Sequence, residues 1–250
     1  MLDREIPLSF RTMKRLKKIV LRIAMALIGV LIVATVAVKI ASEPLPEGVS
    51  GDGADTLALQ MLKSLNHEAY LSTTEIDFSF SGHQYSWKKA ANKVEVRWSS
   101  HRVLLELDNL SSSVVYTDEA QLTDSDRFKL INQAVSYFYN DSYWLVAPFK
   151  VFDPGVSRKL VRLVGENDAL LVTHSSGGVT PGDSYLWLLD ENARPTAFKM
   201  WVSIIPFGGL RASWEDYVKS ETGAYFATSH KMGPLTIGVR DLKTETKKSD

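Results

Sequence analysis

The chain has 250 residues, of which 45% are hydrophobic and 23% charged. That is ordinary usage for a folding chain, and it excludes a wholly disordered protein, a collagen-like fibre or a multi-span transporter. There is no cysteine, which excludes a disulfide scaffold, a cysteine nucleophile, an iron–sulfur cluster, a thiolate zinc site and a lipid-bearing cysteine. The 29 basic and 29 acidic residues cancel overall but not locally.

Residues 1–18 carry six cations against Asp3 and Glu5. Residues 19–38 follow with Arg22 as their single charge, one turn inside the basic end, where a long side chain snorkels to the headgroups. Twenty helical residues at about 1.5 Å each match a bilayer core of about 30 Å. A cleaved signal peptide is the competing reading, but its apolar stretch is shorter and ends in a small-x-small site, which Val38-Lys39-Ile40-Ala41 does not offer. The expectation is a cytoplasmic tail (1–18) and an uncleaved transmembrane anchor (19–41) in the bacterial inner membrane. The basic flank then stays in the cytoplasm and the rest is exported to the periplasm. Residues 42–250 hold 21 Lys and Arg against 27 Asp and Glu. That acidity argues against a nucleic-acid partner and against electrostatic attachment to anionic lipid.

Residues 42–53 (SEPLPEGVSGDG) read as a linker. Asp55 is placed to N-cap a helix running to about His67, with Leu57, Leu59, Met61, Leu62 and Leu65 on its apolar stripe. From Ser72 the period becomes two: Ile76, Phe78 and Phe80 alternate with polar residues, as in a half-buried strand. Further strands are expected at 83–88, 93–99, 102–107 and 113–116, separated by turn residues. A second helix begins at Asp124 or Ser125 and stops near Asn140. Strands then follow at about 158–164, 169–174, 184–189, 196–203, 210–218, 224–230 and 234–242. Hairpin turns fall at 165–168 and 190–195, Thr180-Pro181-Gly182-Asp183 suits a type II turn, and residues 243–250 read as a frayed charged tail. The fold class is α+β, with one curved antiparallel sheet of about eleven strands in residues 54–242.

Catalytic motifs are absent. The five histidines have no metal-ligand spacing, Ser175-Ser176-Gly177-Gly178 is not a nucleophile elbow, and no phosphate-binding glycine pattern occurs. No cofactor and no metal are expected. The aromatic residues are more informative. Phe78, Phe80, Trp87, Trp98, Trp144, Phe149, Trp187, Trp201 and Trp214 either fill a sheet–helix core or line a concave apolar cavity. Pro148, Pro154 and Gly155 impose a bent path after the second helix, which Trp144, Phe149 and Phe152 staple to the sheet or offer to a ligand.

The run from Asn140 through Trp144, Pro148, Phe149, Phe152 and Pro154 to Val156 resembles a segment of exported bacterial proteins that are similar to outer-membrane lipoprotein-sorting (LolA-like) carriers. Leu170 to His174, Gly178 to Tyr185, Asp190 with Pro195, and Trp214 to Tyr217 match in order, as do the early phenylalanine strand, His83 and Trp87. The likeness spans roughly residues 54–240. It implies a half-barrel around a helical plug, with acyl chains shielded inside in the best-known relatives. The expected function is a membrane-anchored periplasmic protein that holds a lipid or other apolar ligand without enzymatic activity. The alternatives are an envelope interaction module with a filled barrel, in contact with another envelope protein, and, less favoured, a hydrolase or transferase on envelope lipids.

Overall fold

The computed structural model describes residues 10–117, 122–165, 167–176 and 181–246. Residues 1–9 of the expected tail, Glu166 of the first hairpin turn, residues 177–180 with the start of the Pro181 turn, and residues 247–250 lie outside the described residues. The chain divides into two compact units, Met1–Glu43 and Pro44–Asp250.

In the first unit the described residues form one helix, α1 (Phe10–Ala41). Its side chains are described without a break only over residues 17–31, where apolar groups such as Leu27 and Val30 are exposed. Among the described residues, no helix is long and apolar enough to cross a membrane.

The second unit opens with α2 (Asp52–Ser64) and α3 (His67–Ser72) in place of the single helix expected from Asp55. The chain turns into α2 at Gly51, whose φ of 115° suits glycine, so Asp55 lies in the first turn instead of capping it. Its carboxylate accepts from Arg158 Nε at 2.7 Å. Asn66, in the left-handed region at φ 55°, separates the two helices.

Strands β1 (Thr73–Phe80), β2 (His83–Lys88), β3 (Lys93–Trp98) and β4 (His101–Glu106) form a meander that β5 (Val114–Tyr116) extends. Their alternation matches the sequence reading: Ile76, Phe78, Phe80, Tyr85, Trp87, Val94, Val96, Trp98, Val103 and Leu105 all point inward. Helix α4 (Asp124–Val146) is capped by Thr123, whose hydroxyl accepts the Asp126 N–H at 3.2 Å. It does not stop at Asn140 but continues to Val146. Pro148 then closes it, because proline has no N–H to offer the Trp144 carbonyl four residues back.

The remaining strands are β6 (Val156–Val161), β7 (Ala169–His174), β8 (Ser184–Leu189), β9 (Pro195–Trp201), β10 (Leu210–Ser213), β11 (Glu215–Lys219), β12 (Tyr225–Met232) and β13 (Leu235–Thr246). They complete an α+β fold with two antiparallel sheets instead of one. The larger has the order β11-β12-β13-β1-β2-β3-β4-β5, the smaller β10-β9-β8-β7-β6, and neither closes into a barrel. The segment expected as one strand over 210–218 is divided at Trp214. Its first half pairs with β9 and its second with β12, so the chain passes from one sheet to the other across a single residue. Strand β13 extends beyond the expected limit, with Thr246 opposite Thr73. Residues 243–246 are therefore sheet, because Thr244 turns inward and its hydroxyl donates to Glu221 Oε2 at 3.1 Å.

The linker also gains structure. Val49 forms an antiparallel bridge with Leu160 on the outer edge of β6, with N–H···O distances of 2.9 and 2.8 Å. Gly48 lies so close that a Cβ there would stand 2.9 Å from Lys159 Cβ, the Leu160 carbonyl and Val161 Cγ2. The main hydrophobic core runs from Ala54 to Val239 and includes the inner face of α4. A smaller cluster of Val161, Ala169, Leu171 and Leu186 lies on the other face of the five-stranded sheet.

Candidate functional site

The C-terminal half of α4 gathers most of the chemistry-bearing side chains. Ile131, Ala134, Phe138, Asp141, Ser142 and Leu145 recur at three- and four-residue spacing and are all buried, so the helix carries Asp141 inward with its apolar face. The carboxylate is satisfied there. Tyr85 OH donates to Oδ2 at 2.6 Å, His83 Nδ1 lies 2.8 Å from the same oxygen, and Asn140 Nδ2 donates to Oδ1 at 3.0 Å. The His83 ring stacks on Tyr137 at 3.9 Å. Burial, and then the bond to Asp141, push the Tyr85 phenol far above its ordinary value, so it stays a donor. A carboxylate on Nδ1 is half of a proton-transfer relay. Neither recess described below touches His83, and the arrangement acts as a buried polar clamp between α4 and β2.

Two residues further along α4, Tyr143 meets the smaller sheet. Its hydroxyl lies 3.1 Å from His174 Nε2 on β7, and its ring packs on Tyr185 of β8 at 4.9 Å. Burial raises both phenols and lowers the His174 imidazole, which holds the cluster neutral. Beside it, Asp183 accepts the Ser203 N–H at 3.0 Å. The loop at Gly155 (φ 78°) is tied to the same place: its carbonyl accepts both the N–H and the hydroxyl of Ser175, at 2.8 and 2.7 Å.

Of the nine aromatic candidates, the structure joins four in one cluster. Trp144 lies 6.4 Å from Phe80 and 6.3 Å from Trp214, and Trp214 lies 5.0 Å from Trp187. Phe198 fills the centre of this group, and His230 closes it 4.2 Å from Trp214. Phe78, Trp87 and Trp98 line α4 elsewhere, against Tyr85, Phe138 and Tyr137. Phe149 stacks on Tyr70 at 4.1 Å and meets Phe226 at 5.5 Å, while Phe152 lies half exposed with Arg158 over its ring. These contacts fit the staple reading of the 144–156 run. Trp201 faces the other way, onto the small outer cluster of the five-stranded sheet. Trp144 and Trp201 are partly exposed; the other seven are buried, so the interior expected as a cavity is occupied by their side chains.

Among the described residues the surface includes the following recesses. One, of about 170 Å³, is lined by Trp201, Val202, Ile205, Pro206, Phe207 and Gly208 in the β9–β10 loop, where Ile204 is exposed. The other, of about 530 Å³, is lined by Leu163, Gly165, Asn167, Leu188, Leu189, Thr196 and Arg211. Among the described residues, no three of His, Asp and Glu come together as a metal ion requires. Sequence reading missed Asp141, Tyr143, Tyr185 and His230. Of these only Asp141 left a signal, three residues after Phe138 and seven after Ala134 on a helix face that was legible. The protein-family comparison found no matching family model, and no curated protein matches the sequence.

Proposed function

We propose that this chain is a single-pass protein of the bacterial inner membrane, held by residues 19–41 with its N-terminus in the cytoplasm. Its exported residues 54–242 form a LolA-like half-barrel around α4 that serves in the periplasm as a non-enzymatic interaction module. The anchor is supported by the run of residues 19–38, whose single charge is Arg22, within a helix of 32 residues. The half-barrel is supported by the two antiparallel sheets that α4 contacts and by the chain's crossing between them at Trp214. The observation that carries the module reading is the filled interior: Phe78, Phe80, Trp87, Trp98, Phe149, Trp187 and Trp214 are buried in contact with other rings.

A second reading, in which the domain holds a lipid or other apolar ligand, is favoured by the recess at residues 201–208, which is lined by Trp201, Val202, Ile205, Pro206 and Phe207. Its volume of about 170 Å³ is below the roughly 300–1,000 Å³ of ligand pockets and suits at most the end of one chain. Titration of the full chain in detergent with a fatty acid separates the two. The module reading expects the tryptophan emission to stay unchanged. Saturable quenching, abolished by Phe207→Asp beside the recess, would overturn it in favour of the carrier.

A further inference from the structure

The outer face of the five-stranded sheet has a charge opposite to that of its domain. Register defines its central row: Lys159, Leu171, Leu186, Lys199 and Arg211, one residue from each strand in spatial order. Trp201 stands in the next row, opposite Ser184. The strand residues of this face include three cations and no acid, although residues 42–250 have six more acids than bases. The acids bordering these strands, Asp168, Asp183, Asp190 and Glu215, lie outside them, and Glu215, which also feels the charge of Arg211, is paired with Lys231 at 3.0 Å. Around the cations, Leu163, Leu188 and Trp201 are half-buried over the Leu171 and Leu186 floor, with Ser157, Thr173 and Ser184 in the Trp201 row. The larger recess, with Arg211 in its wall, opens beside Leu188. An independent observation concerns the linker. It reaches the domain on this same face, where Gly48 lies against the Lys159 and Val161 side chains. Fully extended, residues 42–48 reach at most about 25 Å.

We propose that this face is where the exported domain rests on the anionic headgroup layer of the membrane that anchors it. The inference rests on the anchor reading above and goes beyond it by naming the docked surface. Lysine and arginine supply the attraction, the half-buried tryptophan sits at headgroup level, and the acidic remainder of the domain is turned away from the lipid. The domain's net charge argues against such attachment only when it is taken as an average.

Because the chain has no cysteine, one introduced thiol reports from one place. Ser157→Cys lies exposed on this face, and Gln84→Cys is exposed on β2 of the other sheet. The full chain, labelled with an environment-sensitive fluorophore, is reconstituted in vesicles of phosphatidylcholine alone or with phosphatidylglycerol at about 7:3. The label at 157 is expected to brighten and shift to the blue only with phosphatidylglycerol, and high salt should reverse the change. The label at 84 should not respond. Lys159→Gln with Arg211→Gln removes two exposed cations and should lower the docked-to-undocked ratio about thirtyfold, at roughly fivefold per cation. A 157 label that behaves like the 84 label, or that responds equally to both lipids, overturns the proposal; silence in these protein-free membranes points instead to an acidic protein partner. Alkaline carbonate extraction reads the anchor separately. A chain released by carbonate has lost the anchor reading, while its label still reports whether this face meets anionic lipid.

Discussion

His230 is fully buried between Trp144 and Trp214, with Nδ1 3.0 Å from the Ser213 carbonyl. Burial lowers its pKa from 6.5 to about 4, and the Ser213 and Trp144 carbonyls offset only part of that. The unfolded chain therefore takes up a proton near pH 6.5 that the fold refuses until about pH 4. The stability this neutral ring supplies is complete above pH 6.5 and is lost as pH falls through that window. At about 1.4 kcal/mol per tenfold change in proton affinity, the loss is about 3 kcal/mol. Urea unfolding of the full chain in mild detergent at pH 7, 6, 5 and 4.5 reads it as a midpoint shift of about 1 M. Other groups titrate over the same range, so the diagnostic is the difference from His230→Phe. That variant leaves the Ser213 carbonyl without its donor and starts about 1–3 kcal/mol lower at pH 7. It should then lose less on acidification, so the two curves converge by pH 4.5. Curves that stay parallel from pH 7 to pH 4.5 would refute the argument, because the ring would then be taking up its proton in the fold as readily as in the unfolded chain.

Asp141→Ala strands Tyr85 OH and His83 Nδ1 in the interior and should cost about 3 kcal/mol in denaturant unfolding. Asp141→Asn should recover part of that, because its amide oxygen still accepts from Tyr85. Phe149→Ala opens a cavity against Tyr70 and Phe226 and should cost about 3–5 kcal/mol, read as a lower thermal midpoint. Gly48→Ala should act locally: its Cβ displaces the strap from β6, so hydrogen exchange at the Leu160 amide speeds up while the global midpoint stays within about 1 kcal/mol.

The meander from β1 to β4 was legible because one face of each strand is buried and the other is wet, so period two is written directly into residues 73–106. The smaller sheet is different. In β7, Ala169, Leu170, Leu171 and Val172 are all buried, Leu170 and Val172 in the main core and Ala169 and Leu171 in the outer cluster. Such a run announces a strand without saying which side faces in. Trp201 was therefore grouped with residues whose rings lie on the opposite face, and a one-residue step is all that separates those outcomes. Trp214 failed for another reason. Strand propensity continues unbroken through residues 210–218, and only long-range pairing to β9 and β12 reveals that the chain changes sheets there.

The site was less legible than the fold because its contacts join residues distant in sequence. His83 and Asp141 meet from 58 residues apart, and Tyr143 and His174 from 31. Local pattern decides which residues enter the interior, but it does not decide which of them meet. Segments far apart in sequence meet around this helix: Tyr143 on His174 and Tyr185, Gly155 on Ser175, Trp144 on Trp214. The contacts of the 144–156 run are those of a staple, since Pro148 frees a carbonyl beside His230 and Phe149 secures the turn on Tyr70. Residues of this run thereby hold α4 against the strands it meets.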